Sequence, residues 1–154
     1  MGGPLRIPEA TSLALHAAAL LSGAEGRRLS AATMASKLGA SQAHLSKVLS
    51  QMAHAGIVIS TRGPGGGYML ARSPGDVTLR EIYELMDGPL VIERCPLGLP
   101  VCGGVCCPLG ELFNRVGAEI EEGLERMTLD DYRLALAEGA AGTESTTRAR
   151  KGQA

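Results

Sequence analysis

Residues 63–67 read Gly-Pro-Gly-Gly-Gly, and neither a helix nor a central strand runs through such a stretch. Proline has no amide hydrogen to donate, and glycine inside a regular element loses more backbone freedom than any other residue. The chain must turn here. On one side Ile57, Val58, Ile59, Ser60 and Thr61 are rich in β-branched side chains, and on the other Tyr68, Met69 and Leu70 resume an extended pattern. The order predicts a β-hairpin whose tight turn needs positive φ angles. The run does not work as a nucleotide-binding loop, since it lacks a Gly-Lys-Ser/Thr ending and does not open a helix.

Upstream of the hairpin the pattern is helical. Ala10, Leu13, Ala14, Ala17, Leu20 and Leu21 recur at helical spacing, so Glu9 to Ser22 reads as an amphipathic helix closed by Gly23. Ser30 is an N-cap for Ala31 to Leu38, with Gly39 where a left-handed C-terminal cap sits. Ser41 caps a further helix, ended by Gly56, whose Leu45, Val48, Leu49 and Met52 form one stripe. Two short helices joined by a Gly-containing turn and followed by a hairpin make a winged helix, in which one helix enters the major groove and the hairpin tip an adjacent groove. The expected fold is therefore mainly α.

Downstream, Thr78 and Glu81 form a capping box for a helix that buries Leu79, Ile82, Tyr83 and Met86 and ends at Gly88. A Gly/Pro-rich loop from Pro89 to Cys107 carries all four cysteines. Pro108 fits the first position of a long helix whose Leu109, Leu112, Phe113, Val116, Ile120, Leu124 and Met127 make one apolar stripe under an acidic cover. So long a stripe in a small chain needs a partner surface, and a second copy is the simplest. Thr128 caps a last helix to about Glu138, and the tail to Ala154 is small and polar. The expected organisation is a DNA-binding region over 5–75, a sensor loop with dimerisation helices over 76–138, and a disordered tail over 139–154.

Composition narrows the function. The 154 residues suffice for about one domain. One Phe, three Tyr and no Trp exclude a platform that stacks single-stranded bases on rings, so any nucleic acid is duplex. The net charge of −1 hides an asymmetry: up to Asp76 seven Lys or Arg face three acids, whereas from Val77 to Glu138 five Arg face twelve acids. A polyanion therefore belongs at the front. No apolar stretch approaches the ~18 residues needed to span a membrane, which places the chain in the cytoplasm, where thiols stay reduced. Cysteines clustered between Cys95 and Cys107 point to a metal or redox site, because a disulfide scaffold spreads its cysteines over several loops. Thiolates ligate zinc and iron–sulfur clusters alike. No paired acid and base and no Cys-His dyad point to an enzyme.

On the second helix of the helix-turn-helix, the side away from the apolar stripe presents Ala43, Ser46, Lys47, Ser50, Gln51 and His54. Lys47 can donate to guanine, and a small residue leaves room for a thymine methyl. At the wing, Arg62 precedes residues with almost no side chains, so backbone can approach phosphate while Arg62 enters a narrow minor groove. Lys37 and Arg6 are further candidates for phosphate. Taken singly, each feature has a plain structural reading, as a solvated helix face or a tight turn.

Together, Ser41-Gln-Ala-His-Leu-Ser-Lys-Val-Leu-Ser50, Ala55-Gly-Ile-Val58 and above all Arg62-Gly-Pro-Gly-Gly-Gly-Tyr68-Met-Leu-Ala-Arg72 resemble the bacterial winged-helix repressor family that includes the iron–sulfur regulator IscR and the nitric-oxide sensor NsrR. The resemblance covers about residues 5 to 138. It implies a homodimeric transcription regulator that crosses its long C-terminal helices and reads a palindromic double-stranded operator. The family's base-reading positions fall on Ala43, Ser46 and Lys47, and its minor-groove arginine on Arg62, with Gly63, Gly65, Gly66 and Tyr68 completing the wing. Some members have Glu where this chain has Ser46, so their operator does not transfer.

The same resemblance bears on the cysteines. Cluster-binding relatives carry three in this loop, the outer two twelve positions apart, as Cys95 and Cys107 are, and Cys102 falls one position beyond the usual middle cysteine. It implies Cys95, Cys102 and Cys107 as ligands of an iron–sulfur cluster, 2Fe-2S or 4Fe-4S. For the fourth ligand the position filled by His in IscR-like members is Gly110, which leaves Cys106 and His16 as candidates; for His16 the plain alternative is a partly buried helix histidine. The expected function is a cluster-dependent regulator, most simply a repressor, sensing redox state, nitric oxide or iron–sulfur status. The alternatives are a thiol-based or zinc-binding regulator without a cluster, and a small redox or electron-transfer protein.

Overall fold

The computed structural model describes residues 7–90 and 108–134. In chain order it contains α1 (Glu9–Ser22), α2 (Ala31–Leu38), α3 (Gln42–His54), β1 (Val58–Thr61), β2 (Gly67–Leu70), a 3-10 turn (Pro74–Asp76), α4 (Leu79–Asp87) and α5 (Pro108–Arg126). Residues 129–134 are again helical. The cysteine loop from residue 91, Arg6, the end of the last helix and the tail lie outside the described residues.

Local signals account for most boundaries. The Ser30 hydroxyl accepts from the Thr33 amide at 3.0 Å, and Gly39 closes α2 in the left-handed region at φ 62°. The Ser41 hydroxyl accepts from His44 N–H and α3 begins at the next residue. α4 starts as half a capping box. Thr78 accepts from the Glu81 amide, but the Glu81 carboxylate turns to Arg72 at the root of the wing. Its stripe also differs from expectation: Leu79 and Ile82 are buried and Leu85 and Met86 pack beside them. Tyr83 stays half-exposed and donates to Asp87 at 3.2 Å.

One cluster forms the core. Met34 of α2, Leu45, Leu49 and Met52 of α3, Ile57, Ile82 of α4 and Leu129 are fully buried together against the α1 face of Ala14, Ala17, Ala18 and Leu21. The regions on either side of residue 75 therefore share a core. Leu129 reaches it because the chain after α5 pairs with the chain before α4: Thr78 bridges Thr128, Leu79 N–H donates to Met127 O and Leu129 N–H to Val77 O, each at 2.9 Å.

The wing is an antiparallel hairpin in which Val58 faces Leu70, Ile59 faces Met69, Ser60 faces Tyr68 and Thr61 faces Gly67. A third piece of strand joins it. Leu29 N–H donates to Tyr68 O at 3.0 Å and Tyr68 N–H to Leu29 O at 2.9 Å.

Candidate nucleic-acid interface

α2 and α3 meet through buried Met34, Ala35, Leu45, Val48 and Leu49, which turns the other side of α3 outward. Ala43, Lys47, Ser50, Gln51 and His54 are exposed and Ser46 half-exposed. The base-reading candidates thus share one solvent-facing side of a helix fixed by its buried stripe. An open cleft of about 440 Å³ runs along this side between Ala10 of α1 and His44, Lys47, Gln51 and His54. His44 Nδ1 lies 3.6 Å from the Glu9 carboxylate. The His54 ring donates from Nδ1 to Ser50 O at 2.7 Å, since a carbonyl only accepts.

At the wing, the Gly66 amide donates to Gly63 O at 2.8 Å and closes the tip. Gly63 and Gly65 hold φ of 99° and 77°, so the turn does require its glycines. Gly66 is required for space, because a Cβ there would stand 2.3 Å from Thr61 O. Arg62 is exposed. Tyr68 is half-buried against the core and its backbone carries the bridge to Leu29, so its evident place is in supporting the wing.

The charges divide by position. Among the described residues Arg28, Lys37, Lys47 and Arg62 touch no carboxylate, and Arg27 donates only to Ala24 O. From Arg72 onward the pattern inverts. Arg72 pairs with Glu81, Arg126 with Glu122 and Arg133 with Asp130, Arg115 being the exception. Arg80 bonds Glu84 of its own helix at 2.9 Å and Glu125 of α5 at 3.0 Å; both carboxylates raise its pKa, and the second ties α4 to α5. The long-range pairs of Arg72 and Arg80 carry no sequence signal, since their partners are chosen by the fold.

The candidate ligands divide too. Cys95, Cys102, Cys106 and Cys107 lie outside the described residues. His16 is half-buried on α1, where Nδ1–H donates to Ser12 O at 2.7 Å and Nε2 is 3.3 Å from the Tyr132 hydroxyl. The Tyr132 ring stands edge-on to it, and burial raises the phenol's pKa, keeping it a donor. No group of three or more His, Cys, Asp or Glu able to hold a metal occurs among the described residues. None of the described helices is long and apolar enough to cross a membrane.

A helix-turn-helix whose second helix faces solvent, flanked by an antiparallel wing with an unpaired arginine at its tip, defines a winged-helix DNA-binding regulator. Comparison with known proteins agrees. The family model Rrf2, an iron-dependent transcriptional regulator, matches residues 7–133. The chain belongs to the Rrf2 family. It is 39% identical over 84 residues to a protein named BadM from Rhodopseudomonas palustris, covering 54% of each chain. It is 31% identical over 101 residues to the HTH-type transcriptional regulator IscR of Pectobacterium carotovorum, covering 65% of this chain and 61% of that one. The chain thus spans little more than half to about three-fifths of these curated relatives. Its fold is similar to that of CymR, the global cysteine regulator of B. subtilis, with a TM-score of 0.71 and 27% identity over 85% of this chain and 98% of that one. Proteins of this kind are transcriptional regulators and not enzymes.

Proposed function

We propose that this chain is a cytoplasmic, homodimeric repressor that reads a palindromic operator and whose DNA affinity is set by an iron–sulfur cluster. Residues 5–75 read DNA, with Ala43, Ser46 and Lys47 in the major groove and Arg62, Gly63, Gly65, Gly66 and Tyr68 forming the wing. Residues 76–138 sense and dimerise, and 139–154 form a tail. The observation that carries the DNA-binding part is the set of cations without carboxylates on α3 and the wing, whereas among the described residues the arginines from Arg72 onward are mostly paired. A surface that keeps its cations free is suited to phosphates.

For the sensing part the support is the donor chemistry. Four thiols within thirteen positions suit an iron–sulfur cluster, with Cys95, Cys102 and Cys107 as ligands and Cys106 or His16 completing the set. Bound there, a cluster supplies a redox- and nitric-oxide-responsive centre. The protein's part is mechanical. Cys107 directly precedes Pro108, the first residue of α5, so the order of the 95–107 segment bears on the near end of the helix that joins the two subunits. Small rotations there change the spacing of two recognition helices, which must match one turn of DNA.

A second reading, a thiol-based or zinc-binding regulator without a cluster, is favoured by two observations. Both His16 nitrogens are engaged within its own subunit, and CymR is similar in fold. Anaerobic purification with an absorption spectrum, iron, sulfide and zinc counts, and gel shifts on the gene's own upstream region separates the two. Visible absorption with iron and sulfide, lost in Cys95→Ala, Cys102→Ala and Cys107→Ala together with the redox response, is the expected result. Colourless protein with zinc or no metal moves the assignment to the second reading.

A further inference from the structure

We infer that Arg28 is a phosphate-contacting residue, giving each subunit a grip on duplex DNA besides α3 and the wing tip. The inference rests on the DNA-binding reading above. An arginine on a loop is usually a solvated side chain; this one stands on a backbone pinned at both ends. Before it, the turn is closed by Arg27 N–H to Ala24 O at 3.0 Å, and the Arg27 guanidinium donates to the same carbonyl. After it, Leu29 exchanges both backbone bonds with Tyr68. The approach is close enough that a Cβ on Gly67 would stand 2.7 Å from Leu29 O. Residue 28 is thereby fixed as an edge position beside the wing strand β2.

Which way it faces follows from the strand. Leu29 packs on the core with Tyr68, and successive residues of an extended segment point to opposite faces. Arg28 is exposed and has no carboxylate partner among the described residues, and Glu25, the nearest acid in sequence, makes no ion pair. Arg27 spends its guanidinium on holding the turn and acts as a positioning residue. Arg28 is the member of the pair left for a ligand, next to a hairpin whose Arg62 is equally bare. The chemistry is that of a phosphodiester: a guanidinium forks onto phosphate oxygens, and the contact fixes register without reading sequence.

The test is a salt titration of the full chain on a duplex of its own upstream region and on a scrambled duplex of equal length. Each phosphate contact contributes about 0.9 to the slope of log affinity against log salt. Arg28→Ala should lower that slope by about 0.9 per subunit bound, weaken both duplexes equally, and leave the melting temperature unchanged, while Arg28→Lys keeps the slope. An unchanged slope in Arg28→Ala, with Arg62→Ala still lowering it, overturns the inference and leaves the DNA-binding reading standing. Failure of the wild-type chain to bind either duplex overturns both.

Discussion

Single residues of the wing show how closely backbone geometry and function are joined. Gly67 holds φ 149° within contact of Leu29, and Gly66 sits where a Cβ meets Thr61 O. Neither neighbour is a flexible side chain, so the backbone itself must move. Gly66→Ala or Gly67→Ala should cost on the order of 1–3 kcal/mol, read as a drop of roughly 2–4 °C in melting temperature per kcal/mol for a chain of this size. Operator affinity should fall further than the melt alone explains, because the tip that carries Arg62 moves with the turn. Lys47 and Arg62 are exposed and hold nothing in the fold, so their alanine variants should melt like the wild type. Under the proposed reading Lys47→Ala costs about 1–3 kcal/mol of operator binding and relaxes sequence preference. Equal loss on operator and scrambled duplex would place Lys47 on phosphate.

At the scale of elements, what could be read in advance follows the range of the interaction. Ser30, Gly39 and Ser41 mark helix ends through contacts within four residues, Pro108 stands at the first position of α5, and α1 and α2 begin and end where the periodicity puts them. The Gly-Pro run marks the wing for the same reason. The sequence pattern assigns the Glu81 side chain to a capping box, whereas the fold gives its carboxylate to Arg72, nine positions away. Arg80 to Glu125 and Thr78 to Thr128 are set by the packing of α4 against α5, which no local pattern encodes. The cysteine spacing points to a metal or redox site without giving its shape, and the residues that carry it lie outside the described ones. The turn after α5 has a complete capping box: Thr128 N–H donates to Asp131 Oδ2 at 2.9 Å and Asp131 N–H to Thr128 Oγ1 at 3.3 Å. The Thr128 hydroxyl and then its amide lower the Asp131 pKa. A carboxyl lowered on folding stabilises above its unfolded pKa, and the contribution is lost as pH falls through the folded value. Asp131→Asn should therefore melt below the wild type at neutral pH, and the two melting curves should converge on acidification. A gap that stays constant with pH would assign the effect to shape and not to charge.

For the whole molecule, the decisive asymmetry is in α5. Its far end is anchored, since Leu124 packs on the core, Arg80 holds Glu125, and the Thr78–Thr128 bridge delivers fully buried Leu129. Its near end presents Leu109, Leu112, Phe113 and Val116 at 42–49% exposure. Leu129→Ala should act through the core and cost about 2–5 kcal/mol, whatever the assembly. Substitutions at the near end touch no residue of the core cluster and should leave the stability of the subunit unchanged. If a second copy covers this face, Leu112→Glu with Val116→Glu buries charge in the dimer contact and leaves the subunit folded. Sedimentation should then give a monomer with wild-type helix content. The monomer loses the gain of joining two half-sites, about 10²–10⁴-fold in operator affinity, while its affinity for a single half-site stays that of the wild-type subunit. A variant that remains dimeric would remove α5 from the interface, and with it the route proposed above from the cysteine segment to the two recognition helices.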